Sequence, residues 1–391
     1  MIGERIYLDH YRTTPMHEEV YQKMQPYFKE RFWLPAPFIS TGTEIGELIE
    51  GAKEEILRIF NLKRGDVLFT PSGTYANNMV IQGVLRDADL KSTRIIASEV
   101  CHISILNTYS YFRKKGADVV FLKVNSEGYI DLDDLKRHLT PETKLVSLTH
   151  VNHTIGTIQP VEEIIKMIKE VNEEITVLLD SAIAINSIKI NLSETNADFL
   201  TLSGHKIYGP KGIGIVVLKD TKKLKPIVFG NIDTSPYTPG ADNIPGIVGI
   251  TEAIKIATAR RDTYVKHTSE LQAHLVKRIE EEIPDIMLNG PKVGERAVDN
   301  INYSIRYIEG ESVTLFLDFE NIVVATGSAC ASSDLKVNYV LSAIGREHEL
   351  AHGSLRITLG WDNSKEEIDR FIETLKPIVE RLRSQSTLTK Q

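Results

Sequence analysis

The sequence predicts an α/β fold, with a mostly parallel seven-stranded sheet covered by helices on both faces and a smaller α+β domain after it. Two observations support this fold class. Short runs that are apolar throughout alternate with amphipathic stretches of helical period, which is typical of parallel strands buried on both faces. Of the 391 residues, 42% are hydrophobic and 25% are charged, the composition of a globular protein with a large core. At about 150 residues per domain, the length allows two to three domains.

The large domain is predicted to span residues 16–250. Its predicted strands are 67–70, 94–97, 118–122, 144–150, 176–180, 198–203 and 214–218. Its predicted helices between these strands are 76–86, 103–115, 132–139 and 161–172. Functional groups of such folds gather at the carboxyl ends of the parallel strands, so we expect the site residues there.

The smaller domain is predicted to comprise residues 1–15 and 251–391. Apolar residues recur at helical spacing from about 246 to 283, which is too long for a typical helix and predicts a connection between the domains. The elements predicted after it are strands at 298–305, 322–325 and 354–359 and helices at 312–319 and 365–383. The polar residues after Leu382 are predicted to fray.

Charge and cysteine content exclude several classes of protein. The 53 acidic residues exceed the 46 basic ones, which argues against a general nucleic-acid-binding face. No apolar run approaches the roughly 20 residues of a membrane helix, and the charged start of the chain (Glu4, Arg5, Asp9) has no signal-peptide core. Two cysteines, Cys101 and Cys330, are too few for a disulfide scaffold or a cysteine-rich zinc site. A cytoplasmic protein is therefore expected.

A carboxylate and an amine stand at the ends of two predicted strands. Asp180 ends the strand 176–180, where a buried carboxylate needs a partner. Lys206 follows the strand 198–203 and precedes a loop of glycine and proline, where a lysine can lose its proton and form a Schiff base. Such a pair suits pyridoxal phosphate, because the acid keeps the pyridine nitrogen protonated while the amine holds the aldehyde. Spacing alone favours the alternative of a helix-capping Asp and an ordinary surface Lys.

Three further segments indicate chemistry. Residues 70–78 run from a strand into a helix with small and hydroxyl side chains, so their backbone N–H groups are candidates to bind an anion, although any strand–helix turn looks similar. Cys330 lies among Gly, Ala and Ser residues, which predicts an exposed, mobile loop with a reactive thiol, the alternative being an inert cysteine. Arg356 interrupts an apolar strand, as expected for binding a planar carboxylate or for a structural ion pair.

Together these segments resemble the cysteine desulfurases of the iron–sulfur-cluster assembly type, which have the aspartate-aminotransferase-like fold of pyridoxal-phosphate enzymes. The resemblance extends from Tyr7 to about Leu382. Its strongest matches are Ser-Gly-His-Lys-Ile-Tyr-Gly-Pro-Lys-Gly at 203–212, Tyr-Ile-Glu-Gly-Glu-Ser at 307–312, Gly-Ser-Ala-Cys at 327–330 and Glu-Leu-Ala-His at 349–352.

The resemblance implies a role for each site residue. Lys206 would hold the cofactor and move a proton at the substrate Cα, Asp180 would pair with the pyridinium, and His102 would stack on the ring and move protons. Cys330 would attack the sulfur of L-cysteine as a thiolate, leaving alanine and an enzyme persulfide. The residues implied to bind pyridoxal phosphate are Gly73, Thr74, His102, His153, Asp180, Ser203, His205 and Lys206, and those implied to bind substrate are Arg356 and Asn152.

The resemblance also implies the partners. A homodimer is expected, together with a sulfur acceptor or an iron–sulfur scaffold protein, but neither nucleic acid nor a membrane. His348 and His352 match the H-E-x-x-H pattern of zinc proteases. Because Gly353 follows at once and the family has Glu-Leu-Ala-His there without metal chemistry, no metal is expected.

Four positions depart from the family pattern. His153 stands where Asn is usual, Ile183 where Gln is usual, Ala241 where Thr is usual and Tyr75 where Glu is usual. The family's Asn and Gln would contact the cofactor near its phenolic oxygen, and its Thr would reach the phosphate across the dimer. Two other functions therefore stay open: another pyridoxal-phosphate-dependent reaction, such as cystine or selenocysteine lysis, and a weakly active binding partner for a sulfur carrier.

Overall fold

The computed structural model describes residues 5–230, 235–326 and 338–386, and the statements below concern these residues. The strands are β1 (Ile6–Tyr7), β2 (Asp66–Thr70), β3 (Arg94–Ser98), β4 (Asp118–Leu122), β5 (Thr143–Thr149), β6 (Thr176–Asp180), β7 (Phe199–Ser203), β8 (Gly214–Leu218), β9 (Ile286–Leu288), β10 (Asn300–Ile305), β11 (Ile322–Val323), β12 (Ala325–Thr326) and β13 (Ser354–Thr358). The helices are α1 (Glu18–Met24), α2 (Pro26–Lys29), α3 (Ser40–Ile59), α4 (Gly73–Leu85), α5 (Ile103–Lys114), α6 (Leu132–His138), α7 (Val161–Val171), α8 (Leu192–Thr195), α9 (Ile244–Ala259), α10 (Arg261–Glu282), α11 (Gly310–Phe319), α12 (Tyr339–Ala343), α13 (His348–His352) and α14 (Lys365–Gln385).

Strands β2 to β8 form a seven-stranded sheet in the order β2-β8-β7-β6-β5-β3-β4. β8 is antiparallel to both of its neighbours, and the other neighbouring strands are parallel. The predicted fold class is therefore confirmed. Each strand of this sheet begins and ends within one residue of its predicted bounds. β6, β7 and β8, for example, are buried along their whole length, and a strand buried on both faces is a continuous apolar run whose ends are visible in the sequence.

Helices cover both faces of this sheet. On one face, alternate strand residues pack against α4 and α5 in a core that includes Met79 and Ile105. On the other face, the intervening strand residues pack against α3, α7 and α9 in a larger core. Alternation of side chains along each strand divides them between the two cores. Of the helices among the described residues, none is long and apolar enough to span a membrane.

A second sheet forms after α10. Strands β9, β10, β12 and β13 are antiparallel in the order β12-β13-β10-β9 and pack against α10, α11 and α14. Ile6 and Leu8 belong to the same core, and β1 pairs in parallel with β11. The beginning of the chain therefore packs with its last third.

Two expectations need correction, and one helix was not predicted. The periodic run predicted at 246–283 is two helices, α9 and α10, because Arg260 between them leaves the helical conformation at φ −106° and ψ 10°. The strand predicted at 322–325 divides at Val324 into β11 and β12, which join different sheets. The sequence prediction also omitted α3, although its buried residues Ile45, Ile49 and Ile56 recur at helical spacing.

The carboxylate of Asp198 links three segments of the chain at the end of the large sheet where the parallel strands begin. Asp198 precedes β7, and its Oδ2 accepts from Lys169 Nζ at 2.7 Å and from Val177 N at 2.8 Å. Its Oδ1 accepts from Lys223 Nζ at 2.8 Å. The side chain is only 13% exposed, so water screens these contacts weakly.

Asp198→Asn should lower the free energy of unfolding by about 2–3 kcal/mol, because charge-assisted hydrogen bonds to two lysines are weakened near the core. Denaturant unfolding followed by circular dichroism measures the change. Glu170→Gln is the control, since Glu170 is 64% exposed and pairs with Lys166 only at 3.9 Å, and such pairs contribute about 1 kcal/mol or less. Equal losses in the two variants would contradict the prediction.

Candidate active site

A cavity of about 350 Å³ lies where parallel strands of the large sheet end. Thr149, Asp180 and Ser203, which line it, are the last residues of β5, β6 and β7. The predicted site residues that line this cavity are Gly73, Thr74, His102, His153, Asp180, Ser203, His205, Lys206 and Arg356. The fold therefore brings together predicted site residues that are up to 283 positions apart in the sequence, from Gly73 to Arg356.

The carboxylate of Asp180 is buried and hydrogen-bonded on both oxygens. Asn77 Nδ2 donates to Oδ2 at 3.0 Å, and Ala182 N donates to Oδ1 at 3.1 Å. Asn77 lies at the start of the second turn of α4 and is itself buried. These contacts supply the partners that a carboxylate at the end of a buried strand requires.

His102 is held at the N-terminus of α5. Its Nδ1 accepts from Ser104 N at 3.2 Å, which makes the imidazole the N-cap of the helix, and it lies 2.8 Å from Ser104 Oγ. A backbone N–H can only donate, so a neutral His102 carries its proton on Nε2. Burial, followed by the charge of Lys206, lowers the pKa of His102, although the charge of Asp180 opposes this.

Lys206 ends a short 3₁₀ turn, Gly204–Lys206, that follows β7. Its Nζ donates to the backbone carbonyl of Tyr11 and, at 2.9 Å, to that of Arg12. Burial, assisted by the charge of Arg356, lowers the pKa of Lys206 to about 8, whereas Asp9 and Asp180 oppose the shift. A substantial fraction of the amine is therefore neutral near physiological pH, as a Schiff-base nucleophile must be.

An anion cradle forms at the N-terminus of α4. Ser72 is the N-cap, and its Oγ accepts from Tyr75 N at 3.1 Å. The backbone N–H groups of Gly73 and Thr74, in the first turn, have no partner within the helix and face an anion-binding position. Gly214 makes the cradle fit, because a Cβ there would lie 2.6 Å from the Ser72 carbonyl carbon and 2.8 Å from Gly73 N.

His205 contributes to the same region without a positive charge. Burial, assisted by the charges of Lys206 and Lys211, lowers its pKa to about 4, so the ring is neutral at pH 7. Its Nδ1 lies 3.2 Å from Thr13 Oγ1. His205 is therefore suited to donate a hydrogen bond to a phosphate rather than to neutralise its charge.

Arg356 projects from β13 of the second sheet and meets two other parts of the chain. Its Nη2 donates to the buried carboxylate of Asp9 at 2.7 Å, and its Nη1 donates to His153 O at 2.9 Å. The Nε group is buried without a partner. The structure thus contains the ion pair that the sequence left as an alternative, while the guanidinium also lines the cavity.

Two departures from the family pattern, His153 and Ile183, line this cavity. His153 Nε2 lies 3.2 Å from the hydroxyl of Tyr339, which donates to Cys101 O at 2.8 Å. Burial, assisted by the charges of His102, Arg356 and Lys206, holds the pKa of His153 well below its usual value. The other two departures, Tyr75 and Ala241, line a separate cavity of about 210 Å³.

Of the predicted site residues that the structure describes, Asn152 alone is absent from the cavity lining. Asn152 is buried beside it, where its Oδ1 accepts from Thr154 N and Ile155 N and its Nδ2 donates to Val100 O, so its amide shapes the loop after β5. Cys330 lies outside the described residues. Cys101 is buried, and burial raises its pKa to about 11, so it is a protonated thiol near neutral pH.

The His-Glu-x-x-His segment forms α13, which is only five residues long. His348 Nε2 and His352 Nε2 lie 3.2 Å apart at the surface. Within the part of the chain that the structure describes, no three His, Cys, Asp or Glu side chains are grouped as a metal site would require.

Sequence reasoning missed the lining residues Tyr11, Arg12, Thr149, Val151 and Ala182, and it included Ser72 and Asn77 only as part of the candidate anion-binding segment 70–78. Asn77 had a usable signal, since it is a polar residue among the buried positions of α4. Tyr11 and Arg12 had none, because they contact Lys206 through backbone carbonyls.

These residues fit pyridoxal phosphate. Asp180 offers a buried carboxylate for the ring nitrogen, Lys206 an amine for the aldehyde, and the N-terminus of α4 donors for the phosphate. Polar atoms of Thr149 and Arg356, both in the cavity lining, are buried without partners, which is consistent with a site whose polar groups are completed by a ligand.

The chain matches the family model described as aminotransferase class-V over residues 6–371. It is 39% identical to "Cysteine desulfurase IscS" of Dictyoglomus turgidum over 97% of this chain and 95% of that protein. A solved structure described as "NIFS-like protein" matches with a TM-score of 0.90 at 27% identity, over 96% of this chain and 100% of the other. Another, "SspA in complex with cysteine", matches with a TM-score of 0.77 at 27% identity, over 91% and 99% of the two chains.

The lowered pKa of Lys206 predicts how cofactor uptake depends on pH. The ammonium form cannot attack an aldehyde, so the rate at which added pyridoxal phosphate gains visible absorbance should rise with pH, with a midpoint near 8. Stopped-flow absorbance between pH 6 and about 11 measures this rate, and Lys206→Ala should show no such absorbance. A rise that continues to the ordinary lysine value of 10.5 would contradict the prediction.

Gly214→Ala should weaken pyridoxal phosphate binding at least about tenfold, because the added methyl group displaces backbone N–H donors at the start of α4. Absorbance titration gives the dissociation constant, and circular dichroism verifies the fold. Gly51→Ala on α3 is the matched control, since a Cβ there meets nothing within 4 Å. Unchanged affinity in the Gly214 variant would show that the cradle does not bind the phosphate.

Proposed function

The chain belongs to the aminotransferase class-V family, and from this premise we propose that it is a pyridoxal-phosphate-dependent cysteine desulfurase. It converts L-cysteine to L-alanine and transfers the sulfur to Cys330. The observation that carries the proposal is the meeting of Asp180, Lys206 and Arg356 in one cavity. A buried acid, a partly neutral amine and a cation for a carboxylate are the groups that amino-acid chemistry on this cofactor needs.

The cofactor, when bound, supplies an electron sink for the carbon chemistry. Arg356 binds the substrate carboxylate, since its planar guanidinium keeps an unpartnered Nε although Asp9 and His153 O occupy other donors. Lys206 would hold the cofactor and move a proton at the substrate Cα, and His102 would lie against the ring with its Nε2–H available as a proton donor.

Cys330 accepts the sulfur. Its thiolate attacks the sulfur of L-cysteine, an S–S bond forms as the C–S bond breaks, and the carbon takes a proton to give alanine, leaving a persulfide on Cys330. This step needs a thiolate, and the only other cysteine is unsuited to supply one because Cys101 is buried with a raised pKa. The persulfide sulfur then passes to an acceptor for iron–sulfur cluster or thio-cofactor synthesis.

The functional unit in this proposal is a cytoplasmic homodimer. An apolar group at the surface supports a second copy as the partner: Phe28, Phe32, Leu34, Phe38 and Ile39 are each at least 50% exposed. A soluble monomer rarely exposes so many large apolar side chains within twelve residues. The acceptor proposed for the sulfur is a scaffold or carrier protein, with no role for nucleic acid or a membrane.

We also propose the division into a large domain, residues 16–250, and a small domain of residues 1–15 and 251–391. The packing of Ile6 and Leu8 with α10 and α14 supports assigning the first residues to the small domain. Arg356 then reaches a cavity whose other polar groups come mostly from the large domain.

A second candidate function is lysis of cystine or selenocysteine. It is favoured by Ile183 and His153 in the cavity wall, which change the hydrogen bonds available to the ring. In that reaction Cys330 has no role, so the two functions differ in their dependence on this thiol.

Product analysis with pyridoxal phosphate distinguishes the two, in one assay with L-cysteine and a reductant and in a second with L-cystine and no reductant. We expect equal amounts of alanine and sulfide, lost in Cys330→Ala and retained in the control Cys101→Ala. Lys206→Ala should lack both products. Pyruvate and ammonia, formed equally by the wild type and Cys330→Ala, would contradict the desulfurase proposal and support the lyase.

A further inference from the structure

The amide of Asn77, in the cavity wall, connects two of the proposed site residues. Asn77 Nδ2 donates both to Asp180 Oδ2 and to Ser104 Oγ, each at 3.0 Å. Ser104 Oγ in turn lies 2.8 Å from His102 Nδ1. Asn77, Ser104 and Asp180 are all buried, so these hydrogen bonds face little competition from water.

The direction of each hydrogen bond in this network is determined. Thr201 Oγ1 donates to Asn77 Oδ1 at 2.7 Å, which fixes the oxygen of the amide and turns its NH₂ group toward Asp180 and Ser104. A carboxylate can only accept, which agrees with this orientation. His102 Nδ1 accepts from Ser104 N and therefore carries no proton, so the Ser104 hydroxyl is the donor in its contact with Nδ1.

The same contacts determine what Asp180 and His102 present to the cavity. Asn77 and Ala182 N fix the plane of the Asp180 carboxylate, one on each oxygen. Ser104 fixes the His102 ring with Nδ1 toward the protein, so that the proton is on Nε2. Both groups thus depend on the position of one buried amide.

We propose that Asn77 is a positioning residue for this reaction: its amide, oriented by Thr201, holds the partner of the ring nitrogen and, through Ser104, the ring-stacking histidine in one fixed arrangement. The proposal rests on the function proposed above. It makes α4 a bifunctional element, with an anion cradle in its first turn and a positioning amide directly after it. Asn77 has no contact with substrate in this scheme and acts through Asp180 and His102.

Removing the amide should reduce turnover rather than binding. In Asn77→Ala, we expect kcat per bound cofactor to fall about 10- to 100-fold, because the two reacting groups lose their fixed geometry. KM for L-cysteine should change less than about threefold, since Arg356 lies outside the network. Asn77→Asp should reduce kcat further, because a second carboxylate beside Asp180 makes the pair share a proton.

Asn78→Ala is the matched control. Asn78 is the next residue of the same helix, and its Nδ2 donates to Thr74 O rather than to the network. It should retain the kcat of the wild type. If Asn77→Ala retains kcat per bound cofactor and loses only stability or cofactor occupancy, Asn77 is a structural residue and the proposal fails.

A second measurement uses the protein without cofactor or substrate, so it is independent of the reaction. Proton NMR gives the pKa of His102, whose charged or titratable neighbours are Asp180, Lys206 and His153. Ser104→Ala should raise this pKa because it removes a hydrogen bond to Nδ1 that favours the neutral ring. Asn77→Asp should raise it as well, because the new carboxylate accepts the Ser104 hydroxyl proton in place of Nδ1. An unchanged His102 titration in both variants overturns the network. If the His102 pKa rises in both variants but the wild type forms no alanine from L-cysteine, the network is supported and the proposed function is overturned.

Discussion

The buried carboxylate of Asp180 is the interaction around which the site is organised. A negative charge at the end of a parallel sheet is destabilising unless donors and positive charge replace water. Here an amide from α4 and a backbone N–H occupy its two oxygens, and Lys206 lines the same cavity. The helix must therefore approach the strand ends closely, which Gly214 permits by having no side chain. One packing contact thus positions both the acid and the anion cradle.

The two cations of the cavity are accommodated in different ways because their chemistry differs. Arg356 keeps its charge and is paired with the buried Asp9. Among the described residues, the hydrogen-bond partners of Lys206 are backbone carbonyls alone, and the repulsion from Arg356 adds to burial in lowering its pKa. The result is a permanent cation beside an amine that is neutral part of the time. In the proposed function, binding a carboxylate and forming a Schiff base require this division, and it arises because Asp9 pairs with Arg356 while burial and the charge of Arg356 act on Lys206.

Much of the fold was predictable, because strands buried on both faces are apolar throughout and end where the polar site residues begin. Asp180 and Lys206 were recognisable for the same reason. The helix α3 was overlooked, and the contacts of Tyr11 and Arg12 with Lys206 could not be predicted, since backbone carbonyls nearly 200 residues distant leave no mark in the side-chain pattern. The division of residues 322–325 between two sheets could not be predicted either, because both halves are extended and differ only in the strands with which they pair. Cys330 and the domain boundaries stay predictions.

His153 and Ile183 alter hydrogen bonding at the cavity wall without altering its charge. Tyr339 uses its proton on the carbonyl of Cys101, so the neutral imidazole of His153 donates from Nε2 to the tyrosine and has no second proton to offer. Ile183 offers none. The side chains proposed to bind a carboxylate, attack an aldehyde and protonate the pyridine nitrogen are Arg356, Lys206 and Asp180, none of which is replaced. In the proposed function, the wall formed by His153 and Ile183 therefore bears on the rate and outcome of the reaction, whereas the acid, amine and cation determine that the cofactor is used at all.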